Sequence, residues 1–181
     1  MLPLVSYLLF ALAAFIGYFF LSGFIWGAGY YPTSAKEIDT VVRLLDLKPN
    51  WQFYDLGSGY GRMIIRVAQK SGAHAVGVEV DPIKVWWTRR TIRRKGLEKQ
   101  VEVIRSNFLD LNLADADAIF VFLSSEGKIM DRLYSKINLE CRPGTKIVSF
   151  EHKFKSWEST QNEGRLFLYQ VTKQNVESSS S

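Results

Sequence analysis

Three glycines at alternate positions close a short apolar run in the segment Trp51-Gln-Phe-Tyr-Asp55-Leu-Gly57-Ser58-Gly59-Tyr60-Gly61. Ile64, Val67 and Ala68 follow at helical spacing, so the glycines occupy a turn from a β-strand into an α-helix. Residues without a Cβ adopt φ > 0 at little cost and let backbone close on a ligand. The spacing is G-x-G-x-G, whereas a dinucleotide site wants G-x-G-x-x-G with the pyrophosphate on the helix N-terminus. Asp55, placed before the first glycine, suits a ligand carrying an ammonium group better than one carrying phosphates. A second acid, Glu79, closes the next apolar run about twenty residues on, where a nucleotide-binding βαβ unit puts a ribose acceptor.

The rest of the chain alternates in the same way. Ser34 and Glu37 stand at capping-box spacing ahead of Ile38, Val41, Val42 and Leu45, which fall on one helical face. Strands are expected at 75–80, 101–105, 118–123, 146–150 and 165–171, with helices starting at Pro82 and spanning 126–139. Strands alternating with helices imply a mostly parallel α/β sheet, here of about six strands. The last connection is too short for a crossover, so the final strand is expected to run antiparallel.

These features resemble the class I S-adenosylmethionine-dependent methyltransferases, with their Rossmann-like sheet. The resemblance implies S-adenosylmethionine as cofactor. It puts Asp55 near the cofactor's amino group and the backbone of Gly57, Ser58, Gly59 and Gly61 along its methionine part. Glu79 takes the ribose hydroxyls, and Asn107 with Phe108, after the third strand, faces the adenine. Asn107 stands where aspartate is more frequent in that family, and Tyr60 is a second departure from the pattern. Tyr30-Tyr31-Pro32-Thr33 before the first helix of the domain, together with D-L-G-S-G-x-G-R at 55–62, is similar to a group of protein-lysine methyltransferases with archaeal and mitochondrial members. In that group Tyr31 becomes a cofactor contact.

The resemblance implies an enzyme that N-methylates lysine side chains of a protein substrate, membrane proteins included. Two alternatives stay open: methylation of a lipid or small amphiphile, and a catalytically inactive binding module of the same fold. No side chain announces itself as a general base. Ser124, Ser125 and Glu126 stand after the fourth strand, at the mouth, and Glu126 is equally a helix N-terminal charge. An Asn/Asp-Pro-Pro-aromatic motif, frequent in enzymes that methylate bases, is missing from that place, and nucleic acid is not the expected substrate.

Residues 4–26 contain no charged side chain and would span roughly 35 Å as a helix, enough to cross a bilayer. A cleaved signal peptide would need a charged n-region, which is missing. The expectation is therefore a single-pass transmembrane anchor at 1–28, a methyltransferase domain at 29–174 and a disordered serine-rich tail at 175–181. Lys36 and Arg43 follow the span, which places the catalytic domain on the cytoplasmic side.

The segment from Pro82 to Gln100 carries seven cations against Glu98 alone, a net +6 on a chain whose total is +5. It reads as a solvated helix face, as a surface for anionic headgroups or an acidic partner, or as a nucleic-acid contact. Cys141 is the only cysteine, so no intramolecular disulfide forms. His74 and His152 lack metal-ligand spacing, and no metal site is expected. Oligomeric state is not legible.

Overall fold

The computed structural model describes residues 2–26, 33–123 and 128–172. The chain divides into two compact units, 1–31 and 32–181. The first holds α1, Leu2–Trp26. Among the described residues no helix is long and apolar enough to cross a membrane. This overturns the expected single-pass anchor and the membrane localisation built on it.

The second unit begins with α2, Ala35–Leu45, and its first turn is held as its sequence requires. The Ser34 amide donates to Glu37 Oε2 at 2.7 Å, and the Glu37 amide donates to Ser34 Oγ at 3.2 Å. There follow β1 (Gln52–Leu56), α3 (Arg62–Ser71), β2 (His74–Glu79), α4 (Pro82–Arg94), β3 (Val101–Arg105), β4 (Ala118–Val121), α5 (Lys128–Glu140), β5 (Lys146–Phe150), β6 (Gln161–Glu163) and β7 (Leu166–Gln170).

The strands form one seven-stranded sheet in the order β3-β2-β1-β4-β5-β7-β6. The first five pair in parallel, and β7 runs antiparallel to both β5 and β6. The sheet thus has one strand more than the sequence indicated. The additional strand, β6, is Gln-Asn-Glu and exposed throughout, so it has no apolar alternation to reveal it.

Side chains alternate between two cores because successive residues of a strand face opposite ways. Phe53, Ala75, Val103, Phe120 and Val148 face α2, α3 and α4. Tyr54, Val76, Ile119 and Ile147 face α5 and the loops around Leu113 and Phe154. The strand order reverses between β1 and β4, each with a different onward neighbour. In an open α/β sheet, the crevice beyond the carboxyl ends of the strands at that point is where ligands bind.

Candidate cofactor site

The glycine turn lies at the carboxyl end of β1, beside that reversal. Gly57, Gly59 and Gly61 have φ of 98°, 53° and 74°, values that side chains with a Cβ rarely adopt. The Gly57 and Ser58 amides both donate to the Val78 carbonyl, at 2.9 and 3.0 Å, so the turn is folded back over β2. Gly61 then opens α3 as a left-handed N-cap with no side chain to satisfy the first-turn amides.

Space as well as dihedral angle requires glycine here. A Cβ on Gly61 would stand 2.5 Å from Thr88 Cγ2. On Gly77, in the middle of β2, it would stand 2.6 Å from Ser58 Oγ. Gly77 and Thr88 are site-building residues that the sequence reading left out. A lone glycine within a strand is a signal of close approach, but nothing in the sequence joins Thr88 to the turn. In the folded chain its hydroxyl, on α4, donates to the Gly59 carbonyl at 3.2 Å.

Glu79, the last residue of β2, turns its carboxylate into the same turn. Oε2 accepts the Gly59 amide at 2.9 Å, while Oε1 accepts the amides of Val80 and Asp81, each at 2.9 Å. Asp81 next caps α4, accepting from Ile83 N at 2.9 Å and Lys84 N at 3.3 Å. Both acids are buried, Asp55 at 4% and Glu79 at 5% exposure. Burial first, and the neighbouring Glu79 charge second, push the Asp55 carboxyl up to about 8. Among the described residues its side chain makes no hydrogen bond or ion pair. Ser58 Oγ is likewise buried with no partner. A carboxyl and a hydroxyl held away from water without partners fit a ligand that brings its own cation and donors.

The structure thus brings Asp55, Gly57, Ser58, Gly59, Gly61 and Glu79 into one turn. Ser106 N donates to the Glu79 carbonyl at 3.2 Å, which sets the start of the next loop beside it. Asn107 is exposed, and its Oδ1 accepts the Leu109 amide at 3.0 Å, which leaves its NH₂ group as the donor for a ligand. Phe108 is half-buried against the second core. Tyr31, Ser124, Ser125 and Glu126, and the tail at 175–181, lie outside the described residues. Phe122, just after β4, packs edge-on against the buried Phe150 of β5 at 4.6 Å between ring centres.

A family model described as the ANTKMT methyltransferase domain matches residues 55–161. A protein-lysine N-methyltransferase of Saccharolobus islandicus is 28% identical over 129 residues, covering 71% of this chain and 79% of the relative. The adenine nucleotide translocase lysine N-methyltransferase of Mus musculus is 29% identical over 146 residues, 78% of this chain and 62% of the relative. The chain therefore spans less than two thirds of that mouse protein, and about half the length of two further mammalian lysine N-methyltransferases that it matches. Among solved structures, an RNA methyltransferase from Salinibacter ruber in complex with S-adenosyl-L-homocysteine superimposes with a TM-score of 0.75 at 25% identity, covering 79% of this chain and 95% of that one.

Proposed function

The chain belongs to the ANTKMT methyltransferase family, whose cofactor is S-adenosylmethionine, and from that premise we propose that it N-methylates lysine side chains of a protein substrate. The observation that carries this reading is the similarity to a protein-lysine N-methyltransferase over 71% of the chain. The cofactor supplies a methyl group already activated on a sulfonium. The chain's own task is then to hold it and to bring an unprotonated amine into line with it.

In this reading Asp55 receives the cofactor's ammonium group, the one charge that would draw its carboxyl back to the ionised form. The turn from Gly57 to Gly61, with Ser58 Oγ still free to bond, holds the amino-acid portion. Glu79 accepts from the ribose hydroxyls through the lone pairs that its backbone amides leave. Phe108 lies against the adenine, and the NH₂ of Asn107 pairs with a ring nitrogen rather than with the exocyclic amine.

A lysine ammonium, pKa near 10.4, must lose its proton before it attacks. Desolvation favours the neutral amine, and the half-buried Phe122, backed by Phe150, supplies an apolar side chain beyond β4. The proton leaves to solvent, with no side chain assigned to take it.

Incubating the purified protein with methyl-labelled cofactor and a cell extract tests the reading. Label released as methyl-lysine after hydrolysis of the protein fraction is the expected result. Label confined to lipid or nucleic acid would exclude it.

A further inference from the structure

Several cations of the second unit are matched by carboxylates. Arg43 pairs with Glu163, Arg66 with Asp39, Lys136 with Glu140, Arg142 with Asp117, and Arg165 with both Glu37 and Glu151. In α4, Lys84 pairs with Asp81, but the exposed cations toward its C-terminal end form a cluster without such partners among the described residues. Arg90, Arg93, Arg94 and Lys95 are all exposed, and among the described residues none has a carboxylate partner.

The same helix exposes Ile83, Trp86 and Trp87, by 39%, 55% and 51%. Its own buried face is complete without them, through Val85, Thr88 and Ile92. At helical spacing, 83, 86, 87, 90 and 94 fall on one stripe, apolar in its first half and cationic in its second. The two indoles meet edge to face at 6.3 Å, and the Arg90 guanidinium lies 6.0 Å from the Trp86 ring centre, so both chemistries belong to one surface. A solvated face needs charge; it does not need two exposed tryptophans.

Trp87 also forms one wall of a cavity of about 360 Å³ between α2, α3 and α4. Ile38 and Ile65 contribute aliphatic lining, Tyr60 an aromatic one, and Arg62 and Lys95 bring positive charge. This is the size of a socket for one or two side chains. A flat lipid surface would not enter it. An apolar side chain flanked by carboxylates matches both its lining and its charge.

We propose that α4 and this cavity form a docking site for an acidic protein segment, with one apolar side chain seated between Tyr60 and Trp87 and neighbouring carboxylates on Arg62, Arg90, Arg94 and Lys95. The proposal rests on the protein-lysine reading and deepens it: the segment belongs to the substrate protein. Held on the helix face, the substrate presents its lysine to the strand ends at a raised effective concentration.

The test uses the full chain and a fluorescein-labelled twelve-residue peptide of aspartate and glutamate around a central leucine. Two control peptides replace the acids by glutamine or the leucine by glycine. Vesicles of phosphatidylglycerol in phosphatidylcholine, and polyuridylate, are run in parallel. The acidic peptide is expected to bind at least tenfold more tightly than either control, and to lose tenfold or more in Trp87→Ala and in Arg94→Glu. Calorimetric affinity for S-adenosylmethionine should be unchanged in both variants, which certifies their fold. Binding indifferent to the central leucine or to Trp87, or binding of vesicles or polyuridylate in place of the peptide, overturns the proposal. A wild-type protein that binds the peptide yet never labels lysine would sink the proposed function and leave the docking site standing.

Discussion

The Gly59 amide donates to Glu79 Oε2 at 2.9 Å, tying the middle of the first strand-to-helix turn to the last residue of the second strand. With Oε1 on the Val80 and Asp81 amides, one carboxylate sets the shape of two consecutive loops at the strand ends. Glu79→Ala leaves three amides without their acceptor and should cost about 1–3 kcal/mol of stability. Glu79→Gln, which retains one acceptor oxygen, should recover part of that. Thermal unfolding of the three proteins checks the order, and calorimetry with S-adenosylmethionine should show weaker binding in both variants.

Asp55 couples stability to pH in an unusual direction. Its carboxyl titrates at about 8 in the folded chain against an ordinary 3.8, so the native state keeps a proton that the unfolded state has lost. Native stability therefore falls as pH rises from about 4 towards 8. Asp55→Asn removes that dependence and should be the more stable protein at pH 8, by about 2 kcal/mol or more, with the gap narrowing towards pH 5. The same variant should bind cofactor poorly. Melting curves at several pH values beside binding isotherms read both effects, and equal melting temperatures at pH 8 would refute the coupling.

If Asp55 receives the cofactor's ammonium group as proposed, binding in the wild-type protein ionises that carboxyl. Affinity should rise between pH 6 and pH 8, and proton release should accompany binding at pH 7. Calorimetry in two buffers of different ionisation enthalpy counts the protons directly. A heat independent of buffer would separate Asp55 from the cofactor's charge.

Gly61→Ala adds a Cβ at 2.5 Å from Thr88 Cγ2 and forces alanine to a φ of 74°. The expected cost is about 2–4 kcal/mol, combining overpacking with left-handed strain. Thr88→Ala removes the obstructing methyl, so the double variant should recover the steric part and leave the strain. A double-mutant cycle in denaturant gives the coupling. Strict additivity would show that the two residues do not meet.

Arg165 joins three elements, pairing with Glu37 of α2 and Glu151 after β5 and lying 4.6 Å from the Phe150 ring centre. The guanidinium is 59% exposed, so solvent screens these pairs. Arg165→Ala should lower stability by no more than about 1 kcal/mol, less at high salt. A larger loss would mean that the bridge holds α2 in place.

Most of the sheet was legible because its strands are short apolar runs separated by helices of clear amphipathic period. β3 and β5 begin and end where the residues indicated, and the Ser34–Glu37 capping box forms as its spacing requires. β6 was not legible, since Gln161-Asn-Glu163 has no buried face and pairs only because Gly164 turns the chain back beside β7. Local apolarity at 4–26 pointed to a membrane span, whereas among the described residues no helix is long and apolar enough to cross a membrane.

The sequence by itself determined the βα junction at Asp55 to Gly61 and the acid at Glu79, because glycine spacing and chain-local apolarity are written in consecutive residues. Tertiary structure alone decided what those residues meet. Thr88 reaches the Gly59 carbonyl, Gly77 makes room for Ser58, and Asp55 is driven towards neutrality by burial beside Glu79. Each of these depends on strands and helices brought together from distant parts of the chain, and contact, excluded volume and desolvation are properties of that assembly.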